Sequence, residues 1–258
     1  MFLTADYHTH TVYSHGKGEI SDNAVVASSK GLKEIGISDH GFSHPAFGLT
    51  KRKLPKMKDE CELATLDTGV KVLLGIESNI IGTDGTVDLK PQMYDNFDIF
   101  LAGMHKLVMY KPSSIFSLAI PDLLCATLKI KNVSKSLVKT NTKTLINVIK
   151  KNPVDVITHL NFYGITDPVE VAKACADYGT YLELNAKKVH LTDDEIYNLL
   201  KTDVKFVISS DAHSADRVGE VSLVEKMVKR LAFPTERIMN VDGRLPSFRF
   251  KQFKEGKS

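Results

Sequence analysis

Short apolar and β-branched runs recur along the whole chain, and their spacing limits the folds that it can adopt. Seven such runs occur in the 258 residues: FLTADYHTH, LKEIGISDH, VKVLLGIES, FDIFLAGMH, VDVITHL, TYLELNA and VKFVISSDAH. Most are separated by segments with apolar residues every three to four positions, the period of a helix. Strands that alternate with helices pair in parallel through right-handed crossovers. The sequence therefore predicts an α/β fold, either a barrel or a strongly curved sheet.

The domain organisation follows from the absence of a linker composition. No Pro-, Gly- or Ser-rich stretch divides the chain, so we expect one domain spanning residues 1–258. The interval of about 107–150 is too long for one return helix, and we interpret it as an extra helical excursion with Pro121 near a helix start. Two interpretations stay open: the excursion covers the mouth of the barrel, or it is a surface helix pair without functional consequence.

Composition excludes several classes of protein. The chain is 43% hydrophobic and 25% charged, with a net charge of +3, which is typical of a soluble globular protein and gives no reason to expect a nucleic-acid partner. Its three cysteines form no CxxC pair, so we expect neither a disulfide framework nor a thiolate zinc site, and the cytoplasm fits best. We find no signal peptide or transmembrane run and expect no membrane partner. The tail FRFKQFKEGKS predicts a docked edge segment with a frayed end rather than a nucleic-acid arm.

Histidines and carboxylates gather at the ends of the predicted strands. His8 and His10 are two residues apart, so both rings point to the same face of the first strand. The later strand ends carry His40, Glu77, His105, His159, Asp211 and His213, and His15 lies in the loop after the first strand. In parallel βα folds the carboxyl ends of the strands form one rim, where active sites are built. We therefore expect these side chains to meet at that rim.

The chemistry of this donor set points to a cluster of metal ions. Imidazole and carboxylate without thiolate suit zinc, manganese or iron. The number of donors exceeds what one tetrahedral ion needs, so we expect two or three divalent ions a few ångströms apart. Such a cluster favours phosphoester hydrolysis by a metal-bound hydroxide. A mononuclear deaminase or amidohydrolase would leave His15, His40 and His213 without a role.

The motifs in their order resemble those of the PHP family, the polymerase and histidinol phosphatase superfamily. The similarity runs through DYHTHTVYSHGKGEISDN, IGISDHG, GIESNI, GMHK, VITHL and SSDAHSADRVG, and covers essentially the whole chain. It implies a distorted seven-stranded TIM-like (β/α)7 barrel with a trinuclear metal site at the C-terminal rim.

The resemblance also implies how the ligands are shared. One ion would be held by His8, His10, Glu77 and Asp211. A second would be bridged by Glu77 and held by His105 and His159. The third would be held by His15, His40 and His213. We expect Glu77, Asp211 and His213 to take part directly in catalysis.

Substrate contacts and ring-orienting carboxylates are predicted around this cluster. A phosphate needs cationic partners, and we expect Lys17 and Arg217 as the main candidates, with Lys106 and His44 as further contacts. Each is also explicable as an ordinary surface residue. Asp6 and Asp39 either orient a ligand ring through its second nitrogen or cap a strand end.

Three functions compete at this stage. The first is a phosphatase acting on a small phosphorylated metabolite, with histidinol phosphate as one candidate substrate. The second is a phosphodiesterase or 3′ exonuclease, which the lack of a basic, aromatic-interleaved groove makes less attractive. The third is a metal-binding module without catalysis. The sequence does not predict the oligomeric state.

Overall fold

Seven parallel strands form the centre of the molecule. The structure, a computed structural model, describes residues 1–130 and 132–256. In these residues the strands are β1 Ala5–Thr9, β2 Glu34–Ile37, β3 Lys71–Asn79, β4 Ile99–Gly103, β5 Val156–Ile157, β6 Tyr181–Asn185 and β7 Phe206–Ser209. They lie side by side in chain order, and each pairs in parallel with the next. Six of the seven predicted runs contain one of these strands, and the third run, VKVLLGIES, covers all of β3 except its last residue, Asn79.

The first and last strands approach each other, so the sheet is a nearly closed barrel. At the carboxyl end, Thr9 forms a parallel bridge with Ala212, and the His10 N–H donates to the Ala212 carbonyl at 2.8 Å. Farther down, the buried Asn240 amide accepts from Ile208 N–H and donates to the Ala5 carbonyl. This amide satisfies backbone groups that a missing strand would otherwise pair. The prediction of a distorted (β/α)7 barrel is confirmed.

Helices follow the strands on the outside of the barrel. Within the described residues they are α1 Ile20–Ser29, α2 Leu54–Thr68, α3 Ile120–Thr127, α4 Lys135–Lys151, α5 Pro168–Tyr178, α6 Asp193–Leu199, α7 Ser222–Arg230 and α8 Arg249–Lys254. The start of α5 is defined by Asp167, whose side chain accepts from two N–H groups of the first turn. No helix in these residues is long and apolar enough to cross a membrane.

Two apolar layers position the strands. Inside the barrel, Tyr7, Leu101 and Val207 belong to one buried cluster, and a larger cluster lies between strands and helices. The C-terminal segment docks as predicted: the Phe248 ring lies 4.9 Å from that of Tyr7, and Phe250 is fully buried. The predicted frayed end, Lys257 and Ser258, lies outside the described residues. The segment thus closes the barrel opposite the strand ends that carry the histidines.

The predicted excursion is helical. A π-helical turn, Ile115–Ala119, leads into α3, and α4 follows after a short connection. Pro121 is the second residue of α3, near the helix start that the sequence predicted. The Asn147 side chain of α4 donates to the Thr83 carbonyl at 2.9 Å and ties this helix to the loop after β3.

Candidate metal centre

Eight of the nine predicted ligands converge at the carboxyl ends of the strands. Their donor atoms form four overlapping groups, and within each group all atoms lie within 4.8 Å of one another. The groups are His8, His10 and Asp211; His8, Glu77 and His159; His40, Glu77 and His105; and His10, His40 and His213. Because the groups share members, these eight side chains form one continuous cluster.

An irregularity in β1 aims the two opening histidines into the barrel. Asp6 pairs with Ile35 and Thr9 with Ile37, so β1 has one residue more than β2 between these pairs. Tyr7 faces the inner cluster, and in a regular strand His8 would then face outward. The extra residue reverses the alternation. His8 therefore points inward, with its Nε2 3.1 Å from that of His10.

Glu77 is the centre of the cluster. It is fully buried, and its Oε1 lies 2.7 Å from His159 Nε2 and 3.0 Å from His105 Nε2. Its Oε2 lies 2.9 Å from His40 Nδ1 and 3.3 Å from His8 Nε2. Both oxygens thus face imidazole nitrogens from different strand ends. A carboxylate in this position has the geometry to bridge two cations.

The residues fit a metal site by a simple hydrogen-bond argument. Glu77 Oε2 and His40 Nδ1 are both buried and lie 2.9 Å apart, but their contact does not have hydrogen-bond geometry, and neither atom has another hydrogen-bond partner among the described residues. If His8 donates through Nδ1 to Glu183 and His10 donates through Nε2 to His8, the buried Nδ1 of neutral His10 is left as an acceptor without a partner. Buried acceptors without donors are costly. Cations among these nitrogen and oxygen atoms would satisfy them, and the donor set suits zinc, manganese or iron.

Electrostatics favour the metal-binding protonation states of His105, His10 and Glu77. Burial lowers the pKa of His105 to about 4, despite the opposing charge of Glu77. Burial also holds the pKa of His10 well below its usual value. Burial alone would raise the pKa of Glu77, but the rings of His105, His8 and His159 reverse this and hold it well below its usual value. Neutral imidazoles and an ionised carboxylate are the metal-binding forms. At His8 and His159 burial lowers the pKa, but the charges of Glu77 and Glu183 outweigh burial and raise the pKa above its usual value, so a metal ion there would have to displace a proton.

Glu183 orients two of the ligands. From β6, its Oε1 lies 2.7 Å from His8 Nδ1, and its Oε2 accepts from the His159 N–H at 2.6 Å. The second nitrogen of a metal-binding histidine commonly meets such a carboxylate, which sets the ring's tautomer and angle. The sequence analysis missed this residue. Its signal was a single acidic side chain inside the otherwise uncharged run YLELN.

The two aspartates predicted as alternatives do not contact the ligand rings. Asp39 accepts from the Thr11 N–H and hydroxyl and from the Ser14 hydroxyl. Asp6 accepts from the Ser210 N–H and hydroxyl, and from the Gly219 N–H. Both buried carboxylates therefore hold loops at the strand ends, which confirms the strand-end alternative over the ring-orienting one.

His15 lies beside the cluster. Its ring stacks on that of His40, with centroids 4.7 Å apart and planes inclined by 10°, and lies 4.2 Å from the His213 ring. None of the four donor groups found among the described residues includes it. Its role as a metal ligand stays a prediction.

A cavity of about 450 Å³ opens above the cluster. Its walls include seven of the predicted ligands or catalytic residues together with His44, Phe47, Lys106, Phe162, Asn185, Lys187, Lys188 and His190. None of the lining residues comes from 107–150, so the excursion does not form a wall of this cavity.

Cationic residues take different positions around the cavity. Two predicted contacts, His44 and Lys106, line it. Lys17 and Arg217 lie on the exposed surface outside its lining, and their contact with substrate stays a prediction. Lys187 Nζ reaches Asp211 Oδ1 at 3.3 Å and His213 Nδ1 at 3.1 Å. This lysine is therefore the cation nearest to the metal ligands among those that line the cavity.

Comparisons with known proteins agree with this geometry. The model of the PHP domain matches residues 6–187. A "Probable phosphatase" of Shewanella baltica is 31% identical over 93% of this chain and 87% of its own length. "Probable phosphatase YcdX" of Escherichia fergusonii is 29% identical over 92% of this chain and 89% of its own.

Solved structures share the fold. The histidinol phosphate phosphatase of Lactococcus lactis, crystallised with zinc, L-histidinol and phosphate, superposes with a TM-score of 0.60. The match covers 91% of this chain and 95% of that one, at 15% identity. At this identity the similarity describes the barrel architecture alone.

Proposed function

The chain belongs to the PHP domain family, and we propose that it is a metal-dependent phosphatase that hydrolyses a small phosphomonoester. The observation that carries the proposal is the convergence of eight imidazole and carboxylate side chains around the buried Glu77. The curated relatives, which the chain matches over nearly their whole length, are named probable phosphatases. A cavity of about 450 Å³ suits a metabolite rather than a polymer.

The chain's own residues would hold two or three divalent ions of zinc, manganese or iron. Each ion would be held by one of the four overlapping donor groups, which cannot all be occupied independently because they share His8, His10, His40 and Glu77, and His15 would be a further ligand. When bound, the ions supply an activated water and neutralise charge on the transferring phosphoryl group. Glu183 keeps His8 and His159 in the ligand orientation. The catalytic roles proposed for Glu77, Asp211 and His213 are compatible with their positions on the cavity wall.

The substrate would enter between the cluster and the cationic rim. Lys106 and His44 line the cavity, and we propose that they contact the phosphate or the group that it leaves. Histidinol phosphate is a candidate, because a relative of the same fold was crystallised with L-histidinol and phosphate. Lys106→Ala should raise KM for a phosphomonoester more than it lowers kcat, because the proposed role of this lysine is to bind substrate and not to hold an ion. The exposed Lys226 of α7 provides the control, Lys226→Ala.

The proposal is tested by activity and metal content together. Metals are measured by mass spectrometry, and hydrolysis is measured with p-nitrophenyl phosphate, bis-p-nitrophenyl phosphate, single-stranded DNA and a panel of phosphorylated metabolites that includes histidinol phosphate. We expect monoesterase activity that chelation abolishes. His8→Ala should lower kcat by at least about a hundredfold, because losing an ion removes several kcal/mol of charge stabilisation.

Cys175→Ala is the matched control, since Cys175 is buried in α5 and belongs to none of the donor groups. It should keep both metals and activity. Full activity in the metal-stripped protein would contradict the proposal. Preference for the diester or for DNA would identify a phosphodiesterase or exonuclease instead, and bound metal without any hydrolysis would identify a binding module.

A further inference from the structure

The helix of the excursion turns its apolar side to solvent. From the π-helical turn through α3 to the residue after it, large apolar side chains recur at helical spacing and are exposed: Phe116, Ile120, Leu123, Leu124 and Leu128. We call these five residues the outer stripe. Phe116 is 82% exposed and Leu128 is 66% exposed. A surface helix normally buries such a stripe against the core.

The polar residue of the same helix is on the inside. Asp122 is only 1% exposed, and its Oδ1 accepts from the Asn141 side chain of α4 at 2.9 Å. Leu118, in the π-helical turn, is the buried apolar contact on that side. The helix is therefore held to the protein by a buried polar pair, Leu118 and the partly buried Ala126, while five large apolar residues face outward. Contiguous exposed apolar surface of this kind marks an interaction site.

Charge around the outer stripe is strongly one-sided. Residues 106–151 contain nine lysines and one acidic residue, the buried Asp122, which is a net charge of +8. Because the whole chain carries +3, the remaining residues together carry −5. Exposed lysines precede and follow the stripe: Lys106 and Lys129, and then Lys135, Lys139 and Lys143 at a spacing of four along α4. The apolar face therefore lies in the positive part of a molecule whose remainder is negative.

This charge distribution selects among possible occupants. A second copy docking through the same stripe would bring two segments of +8 together, and like charges oppose such contacts. An anionic surface is complementary. Membrane-interface segments combine exposed Phe and Leu side chains with lysines, and the segment around the outer stripe supplies both, the apolar side chains on the π-helical turn and α3 and the lysines on the flanking residues and α4. Lysine stems can extend along apolar surface and keep the ammonium group among the headgroups.

We propose that the outer stripe is a docking surface for an anionic lipid bilayer, assisted by the exposed lysines of the same segment, Lys129, Lys135, Lys139 and Lys143. Burial of the five apolar side chains among the acyl chains supplies the hydrophobic part of binding. The lysines supply attraction to anionic headgroups, and the negative remainder of the protein is repelled, which orients the excursion toward the membrane. The expectation of no membrane partner rested on the lack of a transmembrane run, and surface docking needs no membrane-spanning helix, so the helix lengths of the described residues are compatible with it.

Vesicle co-sedimentation of the full chain tests the apolar part. We expect binding to vesicles that contain phosphatidylglycerol and much weaker binding to pure phosphatidylcholine, with the difference reduced by salt. The double variant Phe116→Ser/Leu124→Ser should weaken binding at least about tenfold, because it removes two apolar side chains that would be buried among the acyl chains in the bound state. The matched control is Leu63→Ser/Leu66→Ser on α2, where both leucines are also exposed; it should bind as the unaltered protein does.

A second pair of variants tests the charge. Lys135→Glu/Lys139→Glu should reduce binding to anionic vesicles at least about tenfold, whereas Lys226→Glu/Lys229→Glu on α7 should have a smaller effect. Circular dichroism and hydrolysis of a soluble phosphomonoester show that each variant is folded, since none of these residues lines the cavity.

The possible outcomes separate the occupants. Absence of vesicle binding, equal binding to neutral and anionic vesicles, or binding unaffected by the outer-stripe variant would each overturn the proposal. Self-association in analytical ultracentrifugation that is lost in the Phe116→Ser/Leu124→Ser variant, without vesicle binding, would identify a second copy as the occupant. The test does not depend on phosphatase activity, so it can succeed or fail independently of the proposed function.

Discussion

At the scale of single residues, the candidate centre depends on side chains that do not face the cavity. The ligand His8 is held by Glu183 at 2.7 Å, and the same carboxylate holds the backbone of His159 at 2.6 Å. His159 needs this support, because its φ of 26° lies in the left-handed region that non-glycine residues rarely adopt. One buried carboxylate therefore fixes a ring on β1 and a backbone segment after β5.

Replacement of Glu183 tests this positioning role. Glu183→Gln keeps the size of the side chain but removes the charge that orients the His8 ring, so we expect metal affinity to fall about 10- to 100-fold. Activity should return when excess metal is added, which a merely misfolded variant would not show. Metal titration monitored by activity and by calorimetry measures both effects. The control is Glu170→Gln, since Glu170 is exposed on α5 and pairs with Lys173. Unchanged metal affinity in Glu183→Gln would contradict the role.

At the scale of elements, short segments with special geometry bring the site together. The extra residue in β1 turns His8 inward, and Gly103, the last residue of β4, allows the ligands to approach each other. A Cβ on Gly103 would lie 2.3 Å from Thr158 Oγ1 and 2.8 Å from His159 Cε1. At the opposite end, α8 is joined to the barrel by buried Asp155, which accepts from the Phe250 N–H at 2.8 Å and the Phe100 N–H at 2.9 Å.

The docking of α8 should depend on pH through Asp155. Burial raises the pKa of this carboxyl to about 7, whereas an unfolded aspartate releases its proton near pH 4. Between these values unfolding releases a proton, so rising pH favours unfolding by about 1.4 kcal/mol per pH unit, and the effect levels off above about pH 7. Stability is thus lost as the pH rises through this window.

Comparison with Asp155→Asn isolates this contribution from the histidines, which also titrate. Urea unfolding with chelator present, from pH 5 to pH 8, gives the difference in unfolding free energy between the two proteins. We expect this difference to decline with pH and then become constant. Asp216→Asn removes an exposed carboxyl group away from α8 and should give a difference that does not vary in this way. If the difference in unfolding free energy between the unaltered protein and Asp155→Asn did not change with pH, the raised pKa of Asp155 would be ruled out.

At the scale of the whole molecule, the barrel brings together ligands from residue 8 to residue 213. This convergence also concentrates buried polar groups that lack hydrogen-bond partners among the described residues, including Glu77 Oε2 and His40 Nδ1. Ions that satisfy these groups bind the folded state and not the scattered ligands of the unfolded chain. Metal binding and folding are therefore coupled.

The coupling predicts that metal raises the melting temperature. For a single site, an ion at a hundred times its Kd adds about 2.7 kcal/mol to the unfolding free energy, so chelator-treated protein should melt several degrees higher when zinc or manganese is restored. Calcium, which prefers oxygen ligands, serves as the control and should have little effect. Scanning calorimetry measures the shift, and identical melting temperatures with and without zinc would count against a site in this cluster.

Much of the fold and the ligand set could be predicted from the local pattern of residues. Strand and helix periods follow from which faces must be buried, so the seven strands and their parallel pairing could be predicted from the sequence. The carboxyl ends of parallel strands meet at one rim, so the sequence alone could place His8, His40, Glu77 and Asp211 together. The PHP resemblance rested on the same short motifs.

Only the tertiary structure decided which groups touch. The inward turn of His8 requires a register between β1 and β2 that no single run of residues encodes. Glu183 could be recognised as the orienting carboxylate, in place of Asp6 and Asp39, only from distances between β6, β1 and the residue after β5. In the sequence, the apolar residues of the outer stripe have the same spacing as those of a helix that packs on the core. The spacing predicts that the helix has an apolar face, but it does not predict what covers that face. Local preference depends on neighbours along the chain, whereas contact and exposure depend on neighbours in space.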